Sequence, residues 1–447
     1  MRSIWAVATN TIKQALRMKI AAVFIVLLIV LLPVMGLSMT GDGTIKGRLQ
    51  TFVSYSLSLT NLLLCLLTII VTIYTLTSDI KQRQIYTVIT KPIRRYQLLL
   101  GKLLGVVLLN SALLALFSAI IYTITIYTPK FSIFDQADLI QVENEFFTAR
   151  AALVPPEVDV TKEVLDAYER LERDGQLPPD VPRSKFIEDL TKRKQLEKRA
   201  AVVGEQLVWE FHNVKVLNPT ETLFIRYKYD VSINPPDSQV YGQWEVGDSR
   251  QYPAEVAYFP RKDPIRTFRE LEFPAALIAD DGYLAIRFLN VQLNDTTVMF
   301  PPDGLEVLYK ADTFTANFIR VVLLILFRLI FLASLSLLAS TFLSFPVAIL
   351  FSLCILVTAI FSAFCLESFD YLGKDLSWVY HYTVRPIILL LPQFDKFSPA
   401  KYLVPARLLS WPLLAKVAGL MICIKSLLLL LLALLIFSFR EIAKIII

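Results

Sequence analysis

Three basic side chains fall inside otherwise apolar runs: Arg320 and Arg328 in residues 316–343, and Lys425 in residues 417–439. A charged side chain facing lipid at mid-bilayer costs roughly 2.5–3.5 kcal/mol on insertion scales, so Arg328 and Lys425 must face a protein group or a wet path. Two roles fit. Either they line a translocation route and meet an anionic substrate such as a lipid headgroup or a glycan phosphate, or they bond backbone carbonyls or Asn61 or Asn110 as structural cations, with Lys425 also able to snorkel outward. Arg328, Lys425, Asn61 and Asn110 form the candidate substrate-path set. Asp280, Asp281, Asp295 and Asp303 stand in turn-like sequence, where they either serve the turns or bind calcium. Only two histidines occur, His212 and His381, without a zincin motif or a nucleophile elbow, which argues against a metalloenzyme or serine hydrolase. No paired carboxylates stand near the span ends for chemistry on lipid-linked substrates, and no G-x-x-x-x-G-K-[ST] loop exists to hold ATP. The chain is therefore expected to be non-catalytic, with no metal or cofactor of its own and no nucleic-acid partner.

The elements that must position these residues are of two kinds. Hydrophobic residues make up 55% of the 447, and charged residues 19%, which is too apolar for a soluble chain and too charged for a purely membranous one. Residues 129–314 hold 22 Lys+Arg against 32 Asp+Glu, while the remainder holds 23 against 7. The acidic block reads as a water-facing domain and the basic remainder as membrane-flanking loops. Cys65, Cys354, Cys365 and Cys423 lie in or beside apolar runs, so neither a disulfide framework nor a Cys-based zinc site is expected.

A hydrocarbon core of about 30 Å needs roughly 20 apolar residues in a helix. Six runs qualify: 20–38, 51–77, 103–128, 316–343, 345–366 and 417–439. The first follows a basic stretch without a small-residue cleavage motif, and is read as a retained span. Residues 387–392 are too short to cross and end in Pro392, which predicts a re-entrant or interfacial piece within about 384–412. Arg2, Lys13, Arg17 and Lys19 before the first span, and six basic residues between spans two and three against Asp79 alone, place both segments in the cytoplasm. Both termini are then cytoplasmic and residues 129–314 extracytoplasmic. Residues 367–416 fit this less well, with six basic residues against four acidic ones on the outer side.

Within the outer block, Val164, Tyr168 and Leu171, then Leu196, Ala200 and Val203, recur at helical spacing on either side of Pro178, Pro179 and Pro182. A helical hairpin over about 157–205 is predicted. Beyond Leu207 the period becomes two, as in Leu223, Ile225, Tyr227, Tyr229 and Val231, and again in Leu284, Ile286 and Phe288. Turn signals at Asn234-Pro-Pro-Asp, Asp281-Gly and Pro301-Pro-Asp-Gly separate the runs, predicting an antiparallel, jelly-roll-like β-sandwich over about 207–310. The expected fold class is membrane α-helical with six transmembrane helices and an inserted extracytoplasmic α+β domain: residues 1–128 with spans one to three, 129–314 outside, and 315–447 with spans four to six.

The segment Asp79-Ile-Lys-Gln-Arg-Gln-Ile-Tyr-Thr-Val-Ile-Thr-Lys-Pro-Ile-Arg-Arg-Tyr-Gln-Leu-Leu-Leu-Gly-Lys102 carries the remaining signal. It holds about one helical turn with Ile85, Val88 and Ile89 available to a partner's groove, Pro92 to end it, and basic side chains for an acidic rim or lipid headgroups. Read alone, it is also compatible with an ordinary basic loop that sets topology. It resembles the loop between spans two and three in permeases of type-2 ATP-binding-cassette (ABC) exporters: Thr87, Pro92, Arg95 and Lys102 match, and Tyr86 stands where the family usually has glycine. The arm with Trp5, Ala8, Ile12, Ala15 and Leu16 on one stripe resembles that family's interfacial elbow helix, and residues 390–399 resemble its short outer capping helices. The resemblance covers about 1–128 and 315–447. It implies a bacterial inner-membrane export permease in which Gln84, Ile85, Tyr86, Thr87, Val88, Thr90, Lys91, Pro92, Arg94 and Arg95 dock on a separate ATPase subunit that binds ATP and Mg. Also implied are a second permease copy or a related permease as partner, surrounding membrane lipids, and a periplasmic protein or glycan at the outer domain. The rival reading is a membrane-anchored extracytoplasmic module that binds glycan or protein without transport.

Overall fold

The computed structural model describes residues 2–39, 41, 43–81, 94–131, 136–156, 159–175, 183–214, 222–250, 255–370, 382–383, 385–395 and 397–439. The chain forms two compact units, Met1–Ala149 with Asp312–Ile447, and Arg150–Ala311.

The first unit is helical. An amphipathic α1 (Arg2–Leu16) leads through Arg17 and Met18 into α2 (Lys19–Ser38), followed by α3 (Ile45–Lys81), α4 (Arg95–Phe131) and α5 (Gln136–Glu145). After the second unit come α8 (Phe314–Phe342), α9 (Phe345–Ile360), α10 (Ser362–Asp370), α11 (Arg385–Leu390), α12 (Ala400–Leu403) and α13 (Trp411–Phe439). Among the described residues, five helices are long and apolar enough to cross a membrane: α2, α3, α4, α8 and α13. The expected span over 345–366 is divided at Phe361. There the Phe394 amide donates to the Ala359 carbonyl, and the Ser362 hydroxyl bonds both the Ala359 carbonyl and Asp395, so the helix hydrogen-bond ladder ends at α9.

Most of α8 is buried, including the small residues Ala333, Ser334, Ser336, Ala339 and Ser340, which allow neighbouring backbones to approach closely. By contrast α2 fully buries only Ala21, Leu28 and Leu32, packs Phe24, Ile25 and Met35 partly against the core, and presents most of its remaining apolar surface outward. α1 lies against α4 at two glycines. A Cβ on Gly101 would stand 2.6 Å from Val7 Cβ, and one on Gly105 would stand 2.7 Å from the Ala8 carbonyl oxygen.

The second unit pairs a helical hairpin with antiparallel sheets. Helices α6 (Thr161–Arg173) and α7 (Arg183–Glu197) meet through Tyr168 and Phe186. The predicted apolar stripe 196–203 is not helical throughout: α7 stops at Glu197, and β2 (Ala200–Ala201) pairs with β10 (Val298–Met299) instead. The other strands are β1 (Thr148–Leu153), β3 (Gln206–Phe211), β4 (Thr222–Tyr227), β5 (Asp230–Val231), β6 (Gln239–Asp248), β7 (Glu255–Pro264), β8 (Arg269–Pro274), β9 (Leu284–Asn290) and β11 (Leu305–Thr313). They form sheets ordered β1-β11-β4-β8, β2-β10-β5 and β3-β9-β6-β7. Leu223, Ile225 and Tyr227 of β4 share one core with Trp244 of β6 and Phe288 of β9, so the two four-stranded sheets face the same apolar interior. The alternate residue Phe224 is also buried, beneath the Arg150 guanidinium, 4.7 Å from its ring centre, which is why β4 buries both faces.

Candidate functional site

Gln84, Ile85, Tyr86, Thr87, Val88, Thr90, Lys91 and Pro92 lie outside the described residues. The base from which they spring is well defined. Asp79, near the end of α3, and Lys102, in the second turn of α4, form an ion pair of 2.6 Å whose lysine side chain is 2% exposed. Lys102 Nζ also donates to the Thr75 carbonyl at 2.7 Å, and Gln14 Nε2 of α1 donates to Asp79 Oδ1 at 3.1 Å. Three helices are thus clasped at one point: α3, α4 and, through Gln14 and the two glycine contacts, α1. The carboxylate and the carbonyl together offset part of the desolvation cost of burying the Lys102 ammonium.

The two described members of the docking set behave differently. Arg94 is exposed and none of its side-chain atoms bonds a described residue, whereas Arg95 donates to the carbonyls of Phe437 at 3.0 Å and Ser438 at 2.6 Å. Arg95 therefore caps the C-terminal end of α13, where unpaired carbonyls and the helix dipole favour a cation.

Arg328 and Lys425 converge on one stretch of chain. The Arg328 guanidinium donates to the carbonyls of Phe394 and Phe397 and lies 5.0 Å from the Phe394 ring centre. Lys425 Nζ donates to the Leu391 carbonyl at 2.9 Å. Lys425 sits in a turn of i→i+5 hydrogen bonding over Gly419–Ser426, inside α13, which widens the helix where the side chain leaves it. The predicted re-entrant piece is held, on its 391–397 portion, by both intramembrane cations. A cavity of about 370 Å³ borders this piece, lined by Pro392, Gln393, Phe397, Lys416, Met421 and Lys425 among others. The asparagines stand apart from this grip. Asn110 donates to Thr68 Oγ1 at 2.9 Å, joining α4 to α3, and Asn61 accepts from Cys65 one turn along α3.

Sequence reasoning left other holders of the same region unassigned. Asn317 donates to the Arg407 carbonyl and accepts from the Leu409 amide, both at 2.9 Å, and Gln50 donates to the Val404 carbonyl at 2.9 Å. Arg320 pairs with Asp312 and lies 4.8 Å from the Trp411 ring centre. A lone amide or guanidinium in or beside an apolar run is the signal; the partners of Asn317 and Gln50 are backbone groups, which sequence does not mark.

In the second unit, Arg250 bonds Asp281 at 2.7 and 2.9 Å and Asp248 at 2.9 Å, over the ring of Tyr283. Hydrogen bonds from Arg250 hold Asp248 below the usual carboxylate range and bring Asp281 down to about 2. Asp281 is thus engaged by a cation of the chain itself. Among the described residues no group of three His, Cys, Asp or Glu converges as a metal site, and Asp280, Asp295 and Asp303 join none.

No protein-family model, curated protein or solved structure matches the chain. The helices and sheets define its class: a multi-pass membrane protein carrying an antiparallel β unit between two groups of apolar helices.

Proposed function

We propose that this chain is the membrane-spanning permease subunit of a type-2 ABC exporter, working with an ATPase that is a separate polypeptide. Supporting this reading is the clasp at Asp79 and Lys102, which joins the two ends of the 82–93 segment to each other and to α1. A force applied to that segment would reach three helices together, and Arg95 would pass it to the end of α13. ATP binding closes the ATPase pair, the loop is pushed, and the helix group moves against a second permease copy or a related permease. In this account the chain lies in a bacterial inner membrane with six spans, α9 with α10 serving as the fifth, both termini inside, and a jelly-roll-like β domain outside. ATP and Mg belong to the partner, and this chain performs no catalysis. The 391–397 piece, gripped by Arg328 and Lys425, is the element whose position would change between closed and open paths.

The test is purification of the tagged chain from its native membrane, followed by assay of ATP hydrolysis. Copurified, nucleotide-dependent ATPase activity is expected, and Arg94→Glu should weaken the association about tenfold or more while leaving insertion intact, since the Arg94 side chain is exposed and bonds no described residue. Absence of any ATPase from the purified complex would overturn the reading.

One observation favours the rival module. Ile233 and Leu293 are 71% and 76% exposed on adjoining turns of the second unit, which are fixed by Thr296 and Asn294 hydrogen bonds. Rigid apolar anchors of this kind suit a protein partner. A normal cellular phenotype after replacing all spans by one anchor would favour the module over transport.

A further inference from the structure

At the junction of α1 and α2 a cavity of about 650 Å³ opens, within the range that holds lipid- or drug-sized ligands. Arg17 and Lys19 flank it; Tyr74, Thr77 and Ser78 of α3 supply hydroxyls, and Phe345 of α9 closes an apolar side. Both cations are exposed and neither side chain has an ion-pair partner among the described residues. The carboxylate next along α3, Asp79, is already occupied by Lys102 and Gln14. Ser78 is only 9% exposed, yet its hydroxyl bonds no described residue. The first amides of α2 also lack a side-chain cap, because the capping position is Met18. A hydroxyl open to the cavity on a nearly buried residue, uncapped helix amides and two cations without an ion-pair partner among the described residues, all at one apolar cavity, suit an anion with a hydrocarbon body.

We infer that this cavity seats one acidic phospholipid of the bilayer leaflet in which α1 lies, its phosphate between Arg17, Lys19 and Ser78 and an acyl chain along Phe345. A lipid source is favoured over free phosphate because α1 is amphipathic, with Trp5 and Leu16 exposed on it, and α2 presents most of its apolar surface outward. The site requires only that the spans lie in a bilayer, so it stands or falls independently of any ATPase partner.

The experiment is native mass spectrometry of the full chain in detergent, titrated with phosphatidylglycerol and, separately, phosphatidylcholine. One phosphatidylglycerol should be retained in preference to phosphatidylcholine, and the double variant R17Q/K19Q should retain it roughly 30-fold less tightly, from the loss of two near-surface cations. Ser78→Ala should weaken it a few-fold, and R2Q/K13Q, which removes two charges of α1 away from the cavity, should not. Inorganic phosphate should not displace the lipid. Equal retention of both lipids, unchanged binding in R17Q/K19Q, or equal losses in R17Q/K19Q and R2Q/K13Q would overturn the site; helicity by circular dichroism shows that each variant is folded.

Discussion

Replacing one partner of the Asp79–Lys102 clasp leaves the other charge nearly buried, with side-chain exposures of 2% for Lys102 and 12% for Asp79. Breaking a buried pair from one side costs about 3–5 kcal/mol, because the stranded ion keeps its desolvation penalty without its Coulombic return. Lys102→Met adds the loss of the bond to the Thr75 carbonyl, so it should be the worse of the two single changes; Asp79→Asn keeps an acceptor for Gln14. The combined variant D79N/K102M has no stranded charge, and replacing a buried pair by neutral groups is often close to neutral in stability. The two changes should therefore couple by several kcal/mol, against the ~0.5 kcal/mol within which independent sites add. The assay is a double-mutant cycle on the full chain in mixed micelles, unfolded by increasing dodecyl sulfate and followed by helicity. Single losses that simply add in the double variant would refute the claim that this pair holds α3 to α4.

Other consequences follow from the same geometry. Gly105→Val should detach α1 from α4, since the first added carbon already stands 2.7 Å from the Ala8 carbonyl oxygen; labelling of a cysteine placed at Thr11 should rise at least several-fold over its present buried state. Arg328→Leu should leave insertion unharmed, because it removes a charge costing roughly 2.5–3.5 kcal/mol in lipid, yet release the carbonyls of Phe394 and Phe397. In a background lacking the four native cysteines, a cysteine at Gln393 should then react with maleimide about tenfold faster than in the parent. In the second unit, burial and then the Asp263 carboxylate raise the Tyr227 phenol above its ordinary value, so its contribution to stability is complete below about pH 10 and is lost as pH rises beyond. Tyr227→Phe should remove up to about 1.4 kcal/mol per pH unit from the alkaline slope, read by tryptophan fluorescence during unfolding between pH 9 and 11.

Hydropathy located the long helices because lipid leaves the backbone one local solution, yet it marked only their apolar middles. The run 51–77 lies within Ile45–Lys81 and 103–128 within Arg95–Phe131, since helical bonding continues through flanks that hydropathy scores as polar. The break at Phe361 was hidden, because the group that ends the ladder there is the amide of Phe394, more than thirty residues away. Period-two patterning marked β4 and β9 but not which neighbours they take, and the core position of Trp244 follows from β6 lying between β9 and β7. Asp79 was visible as the single acid among six basic residues between the second and third spans, Lys102 being one of the six. Their pairing needed the antiparallel return of α4 beside α3.

The two cations set deep in the apolar runs show why residue type alone left their role open. An arginine at mid-span calls equally for a carboxylate, a substrate anion or a bent stretch of backbone, since each supplies oxygen acceptors. Here Arg328 and Lys425 take the third kind, and Phe394, Phe397 and Leu391 give up carbonyls that no regular helix over 391–397 would leave free. Irregular backbone at such depth needs donors just as buried cations need acceptors, so each offsets part of the other's cost.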